Sequence, residues 1–317
     1  MLGQFKSLPA LFKAFPDNET ALKHFEGVHW KNGAFCPYCK GARVMHFKDG
    51  KTYKCSDCRK RFSSKTGTIF EDTKLGMHIW FGAMWLLLNR PKGIASTQLA
   101  VDLDITQKSA WFVLHRLRYA SRTRSFNRPL AGEVEADETY VGGKARNMSK
   151  ERRERTVNGT GGAGKTIVIG VIERGGGGTP GEVRAMTIPD TKTRTIQSVV
   201  RGHVAPGTTL MTDSAVAYVG MPEYTHETVN HFAREYARGP FHTNSIEGFW
   251  SLFKRQYHGT RHWISPKHMN AYLDEACYRF DRRETDRTVR VDDLLTRVAG
   301  RITYGTLIAD GQEKAAS

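Results

Sequence analysis

The 317-residue chain has no apolar run of 18 or more residues, which excludes a membrane-spanning helix. Its longest apolar stretch, Ile79 to Leu88, is too short to cross a bilayer and predicts a buried helix. Met1 to Lys6 carries no signal-peptide h-region, so a soluble intracellular protein with no membrane partner is expected. Cysteine is scarce, at five residues, and without a secretion signal these are not expected to form disulfides. Nor does a chain of this length need such staples, because two or three units can each bury a core. Acid is the under-represented charge: 32 Asp and Glu stand against 48 Lys and Arg, a formal net charge of +16.

That excess is unevenly placed. Residues 1–131 hold 22 basic against 9 acidic side chains, a net +13, whereas residues 132–317 hold 26 against 23, a net +3. The N-terminal part is therefore the expected electrostatic footprint for a polyanion, and the balanced remainder reads as an enzyme body.

Four of the five cysteines fall into the pattern Cys36-x2-Cys39-x15-Cys55-x2-Cys58. Each two-residue spacer lets both thiolates of a knuckle reach one tetrahedral Zn²⁺, so a closed structural zinc site on a ribbon is expected. Between the pairs, two short runs flanking Asp49-Gly50 read as a hairpin. Cys277 has no partner in the pattern and reads as a small buried apolar residue.

Periodicity and punctuation give five stretches. Residues 1–25 form a helical lead-in, with Leu8, Leu11, Phe12 and Phe15 at helical spacing, and residues 26–70 form the zinc ribbon. Residues 71–131 are helical and resemble a helix-turn-helix, with helices from Ser96 to Leu103 and from Gln107 to Tyr119 and with Ser96 and Thr106 as N-caps. In the second helix Ala110, Val113, Leu114 and Leu117 make the inward stripe, leaving Lys108, Ser109, Phe112 and Arg116 to face a DNA groove. Arg122 and Arg124 continue the basic face into a linker that ends near Pro129 to Gly132. Residues 132–285 alternate strand and helix patterns, and residues 286–317 are a polar extension whose tip is expected to be disordered.

Within residues 132–285 three acids stand out. Asp137 lies inside the strand-like run Glu133 to Val141, where Glu135, Asp137 and Thr139 share a face, and mid-strand Asp is disfavoured enough to need a reason. Asp213 closes a second strand. Glu247 lies on a helical segment from His242 to Arg255, and Lys254, seven residues on, shares its face. Acids gathered in this way suit Mg²⁺ or Mn²⁺, because hard divalent ions prefer carboxylate oxygen and a pair of them can hold both oxygens of an in-line displacement at phosphorus.

The runs Asp137 to Lys144, Thr212-Asp213 and His242 to Arg255, together with the cysteine ribbon, resemble the zinc-ribbon insertion-sequence transposases of the DDE superfamily, the IS1595 group. The resemblance covers most of residues 20–285. It implies an RNase H-like α/β catalytic domain with a mixed sheet, in a bacterial, cytoplasmic, nucleoid-associated protein. It also implies partners: element terminal inverted repeats, target DNA, and a second copy of the chain or a higher oligomer. By position Asp137 and Asp213 are the first two Mg²⁺ or Mn²⁺ ligands and Glu247, 34 residues after Asp213, is the third. Some relatives use Asn as third ligand, and Asn244 lies one turn earlier. Glu247 is preferred because a carboxylate neutralises a divalent ion better and starts the seven-residue step to Lys254.

Two other readings compete. Gly159 to Thr166 fits the phosphate-loop pattern G-x4-G-K-[ST], but a charged segment precedes it and a β-branched one follows, the reverse of what a phosphate cradle requires. A non-catalytic DNA-binding regulator built from the ribbon and helical region is the alternative function. It would have no use for Asp137, Asp213, Glu247 and Lys254 together.

Overall fold

The computed structural model describes residues 5–122, 128–143, 148–156, 162, 164–176, 181–213, 216–229 and 242–309. The chain divides into two compact units, Met1–Ser121 with Thr285–Ser317, and Arg122–Glu284.

The first unit begins with α1 (Leu8–Ala14) and α2 (Asn18–His29), each started by a side-chain cap. The Ser7 hydroxyl accepts the Ala10 N–H at 3.3 Å and the Asp17 carboxylate accepts the Thr20 N–H at 2.8 Å, so amides left over at each helix start are matched. Three short antiparallel strands follow, β1 (Val44–His46), β2 (Tyr53–Cys55) and β3 (Arg61–Phe62). The hairpin between β1 and β2 turns at Asp49, whose carboxylate accepts the Lys51 and Thr52 N–H groups at 3.0 and 2.9 Å. Tyr53 and Phe62 pack with Cys36 and Cys55 in a core too small to be stable on apolar burial alone.

Helix α3 (Met77–Asn89) is buried on nearly every side, as its uniformly apolar sequence requires. Among the described residues no helix is long and apolar enough to cross a membrane. Helices α4 (Ser96–Asp102) and α5 (Gln107–Ser121) follow one another and pack together, at the positions where the sequence resembles a helix-turn-helix. Ala95, not Ser96, occupies the cap position of α4, whereas Thr106 does cap α5, its hydroxyl accepting the Ser109 N–H at 3.2 Å. Asp104 takes a φ of 50° in the turn, the left-handed conformation that a glycine commonly supplies and a short polar side chain tolerates.

The second unit is built on a five-stranded mixed sheet. Its strands are β4 (Glu133–Val141), β5 (Thr166–Glu173), β6 (Val183–Ile188), β7 (Thr209–Asp213) and β8 (Thr225–Val229), in the order β6-β5-β4-β7-β8. The first three form an antiparallel meander, and β7 runs parallel to both β4 and β8. Helix α6 (Lys150–Thr156) comes before the glycine-rich stretch and β5 after it, the reverse of the strand-then-helix order of a phosphate cradle; residues 157–161 and 163 lie outside the described set.

Side-chain alternation along β4 sorts the two faces. Val134 and Ala136 pack with Ile196 and Val200 of α7 (Thr193–His203), while Val141 joins Ile246, Phe249, Trp250 and Phe253 of α8 (Asn244–Gln256) and Leu273 of α9 (Met269–Asp281). Phe249 and Trp250 are therefore core residues, 1% and 3% exposed. Gly170 on β5 pairs with Asp137, and a Cβ there would stand 2.6 Å from the Trp250 ring and 2.9 Å from Ile246. Only glycine lets α8 lie this close to the sheet, and that closeness brings the helix to the strand carrying Asp137.

The chain then returns to the first unit. Helices α10 (Arg287–Leu295) and α11 (Tyr304–Ile308) belong there, so the described part of the polar extension expected over 286–317 carries two helices. Val291, Leu294 and Leu295 of α10 are buried, and the Ile69 N–H donates to the Val298 carbonyl at 2.8 Å. The tip expected to be disordered, Glu313 to Ser317, lies outside the described residues.

Candidate active site and metal centre

The acids expected from the sequence converge at one end of the sheet. Glu135 of β4 pairs with Met211 of β7 in parallel register, and continuing that register two residues brings Asp137 level with Asp213. Asp137, Glu247 and Lys254 line one cavity together with Glu138, Thr139, Trp250, Ser251, Arg255 and His258. Asn244, the first residue of α8, is exposed and is not among these lining residues.

Charge is poorly compensated at this spot. The Asp137 carboxyl is pushed up to about 6, first by burial and then by the neighbouring Asp213 and Glu247 carboxylates, with Lys254 acting the other way. Glu138 is pushed up to about 7, mainly by burial and also by the charges of Asp137 and Asp213, although the Tyr218 hydroxyl donates a hydrogen bond to it. Glu138 thus belongs to the cavity; strand alternation alone assigns it to the other face.

An acid whose folded pKa lies above its unfolded value holds its proton more tightly when folded. Its contribution therefore destabilises the fold as pH rises from the ordinary 3.8 through about 6, fully so above 6 and not at all below 3.8. Asp137→Asn is accordingly expected to raise stability by about 1–2 kcal/mol at pH 7.5 without added Mg²⁺ or Mn²⁺, the gain vanishing near pH 4. Urea melts at the two pH values measure this, and an equal effect at both would contradict it.

Glu135 carries the largest surprise. On the same face of β4 as Asp137 and 0% exposed, it is bound on every side. Its Oε1 accepts from Arg174 Nε at 2.7 Å, and its Oε2 accepts the Ser245 and Ile246 backbone N–H groups at 2.9 and 3.0 Å. The sequence signal was present, since Glu135 shares the Asp137 face, but its partners lie 39 and 110 residues away.

The four ribbon cysteines have their Sγ atoms within 4.8 Å of one another. The Cys36–Cys58 and Cys39–Cys55 pairs are 3.6 and 3.5 Å apart, too long for disulfides and close to the roughly 3.8 Å edge of a tetrahedron with Zn–S bonds near 2.3 Å. The donor set fits Zn²⁺. Cys277 is buried, as expected.

Comparison with known proteins bears on both sites. Residues 129–281 match the model of the ISXO2-like transposase domain, and residues 16–61 match the transposase zinc-ribbon domain, both of the IS1595 group. The chain belongs to the IS1595 transposase family. An uncharacterized protein in transposable element ISH50 of Halobacterium salinarum is 29% identical over 267 residues, which is 80% of this chain and 85% of that protein. An uncharacterized transposase-like protein of Haemophilus influenzae is 25% identical over 115 residues, 35% of this chain and 89% of its own length.

For a transposase-family chain the residues expected to meet DNA matter as much as the acids, and here the structure corrects the sequence reading. Arg116 does not face outward: it is 6% exposed, and its Nη1 donates to the Ile69 and Glu71 carbonyls at 2.7 and 2.9 Å. A guanidinium that satisfies two carbonyls of the segment entering α3 is a structural cap. Lys108 is exposed, its ammonium 5.0 Å from the Tyr304 ring, and the Ser109 hydroxyl is bound by Thr106 at 2.9 Å. Phe112 lies only half-exposed, with the Tyr304 ring edge-on to it at 5.9 Å. In the second unit Arg122 pairs with Asp274 at 3.0 Å, and Arg124 lies outside the described residues. The ribbon offers basic side chains that the sequence reading passed over: Lys60 stands 4.8 Å over the half-exposed ring of Tyr38, and Arg61 lies 5.2 Å over Phe47.

Proposed function

We propose that the second unit is an RNase H-like catalytic domain that cleaves the ends of a mobile element and joins the resulting 3′-OH to target DNA by two-metal phosphoryl transfer. The reading rests above all on Asp137, a half-buried carboxyl crowded by Asp213 and Glu247 in a cavity edged by Lys254. Family membership and the meander-plus-parallel strand order support it.

Asp137, Asp213 and Glu247 are the residues that would hold Mg²⁺ or Mn²⁺, and their mutual repulsion is the condition a divalent ion relieves. When bound, such ions supply activation of the attacking oxygen and stabilisation of the leaving one. Lys254 contributes a point charge to the scissile or flanking phosphate, and Arg255 and His258 line the same cavity. The first unit, with the basic ribbon surface and Lys108, binds the terminal inverted repeats through phosphate contacts. The working form is a homodimer or higher oligomer on nucleoid DNA in the cytoplasm.

The experiment is strand transfer by the purified full chain, using labelled DNA that carries the ends of its own element with Mg²⁺ or Mn²⁺ present. Metal-dependent cleavage followed by joined product is expected. Tight, salt-sensitive end binding with no cleavage under any divalent ion would instead favour the DNA-binding regulator.

A further inference from the structure

We propose that Glu135 is a positioning residue of the acid site, clamping the first turn of α8 so that Glu247 and Lys254 are held against Asp137. The inference rests on the reading of these acids given above, and extends it to a residue that does not itself face the cavity.

The residue at the cap position of helix α8 does not cap it, and the local side-chain acceptor is His242, whose Nδ1 lies 3.4 Å from the Asn244 N–H. Thr243 occupies the cap position but makes no side-chain bond to the helix amides; its hydroxyl donates to Glu247 Oε1 at 3.0 Å instead. The amides of Ser245 and Ile246 are matched by Glu135, a carboxylate from a strand 110 residues earlier in the chain. A negative charge at a helix N-terminus is favoured by the helix dipole, and a buried one needs more than that. Arg174 supplies it: Nε donates to Glu135 at 2.7 Å while Nη2 donates to the His242 carbonyl at 2.8 Å, tying the segment that enters α8 to the same carboxylate.

Strand β4 therefore carries two same-face carboxylates with opposite circumstances. Glu135 has a full set of donors, whereas Asp137, two residues on, is crowded by other acids. Because β4 is rigid through its ladders to β5 and β7, a helix fixed at Glu135 is also fixed relative to Asp137. Glu247 lies one turn into that helix. Without the clamp, the helix start is free to shift, and the ligand set loses its spacing while each ligand remains present.

The test uses full-length Glu135→Gln, which keeps the shape but loses the charge, with Glu135→Ala and Arg174→Lys as further variants. Two quantities are read: hydrogen exchange of the peptide covering residues 243–249, and the Mn²⁺ concentration giving half-maximal cleavage. We expect exchange at the Ser245 and Ile246 amides to speed up about tenfold or more and the Mn²⁺ requirement to rise roughly 10–100-fold, with DNA affinity unchanged and activity restored at high Mn²⁺. A purely structural role would lower thermal stability and activity together without moving the Mn²⁺ requirement, and would overturn the proposal. So would unchanged exchange in folded Glu135→Gln. If Glu135→Ala does not fold, the Gln and Lys variants still decide. If wild-type protein shows no metal-dependent cleavage, the functional reading fails, while exchange at residues 243–249 still tests the clamp.

Discussion

Alanine at Asp137, Asp213 or Glu247 is expected to abolish cleavage and strand transfer, a loss on the order of a thousandfold or more, with repeat binding within about twofold of wild type. Each substitution removes one of three carboxylates that would hold divalent ions, but none of the basic groups that contact DNA backbone. Lys254→Ala should lose less, since on the proposed reading it would delete a phosphate contact and leave the three carboxylates intact. Asn244→Ala should be nearly silent, because Asn244 carries no charge to neutralise an ion and does not line the cavity with Asp137 and Glu247. Single-turnover cleavage and gel-shift binding on the same protein preparations measure the two effects. An inactive Asn244→Ala beside an active Glu247→Ala would transfer the third-ligand role to Asn244.

Loss of zinc should have the second largest effect, on structure first. The ribbon sheet has strands of only three, three and two residues, and Tyr53, Phe62, Cys36 and Cys55 form most of its buried core. Such a module has little to oppose chain entropy besides metal binding, which in comparable small zinc modules contributes about 10–16 kcal/mol. Cys36→Ser is expected to release the bound zinc and open residues 30–62 to proteolysis, with weaker repeat binding as a consequence. Elemental analysis should give one zinc per wild-type chain. A zinc-free wild-type protein with a protease-resistant ribbon would contradict the assignment.

Features with a local cause could be read from the chain. Strand β4 runs from Glu133 to Val141 as its alternation predicts, and the cysteine spacing matches a cluster of four sulfurs. The seven-residue step from Glu247 to Lys254 puts both on one cavity because two helical turns are nearly commensurate with it. Features with distant causes could not be read. Arg116 sits on what the helical period makes an outward face, yet the carbonyls it satisfies lie 45 and 47 residues earlier. Strand β8, Thr-His-Glu-Thr-Val, has no apolar alternation, and among the described residues it lies at the sheet edge with β7 as its ladder partner. Helix α10 is polar over much of its length, and its buried stripe of Val291, Leu294 and Leu295 gains meaning only from the first unit, against which it packs. Glu135 combines both cases: its face was legible, its partners were not.

The most direct test of the central claim is metal rescue at the scissile phosphate. A sulfur replacing one non-bridging oxygen there weakens contact with hard Mg²⁺ far more than with softer, more thiophilic Mn²⁺. If Asp137, Asp213 and Glu247 hold ions that touch this phosphate, cleavage of the sulfur-substituted end should fail in Mg²⁺ and return in Mn²⁺, while the unmodified end is cut in both. Equal cleavage of both ends in Mg²⁺, or a failure that Mn²⁺ does not relieve, would contradict the account.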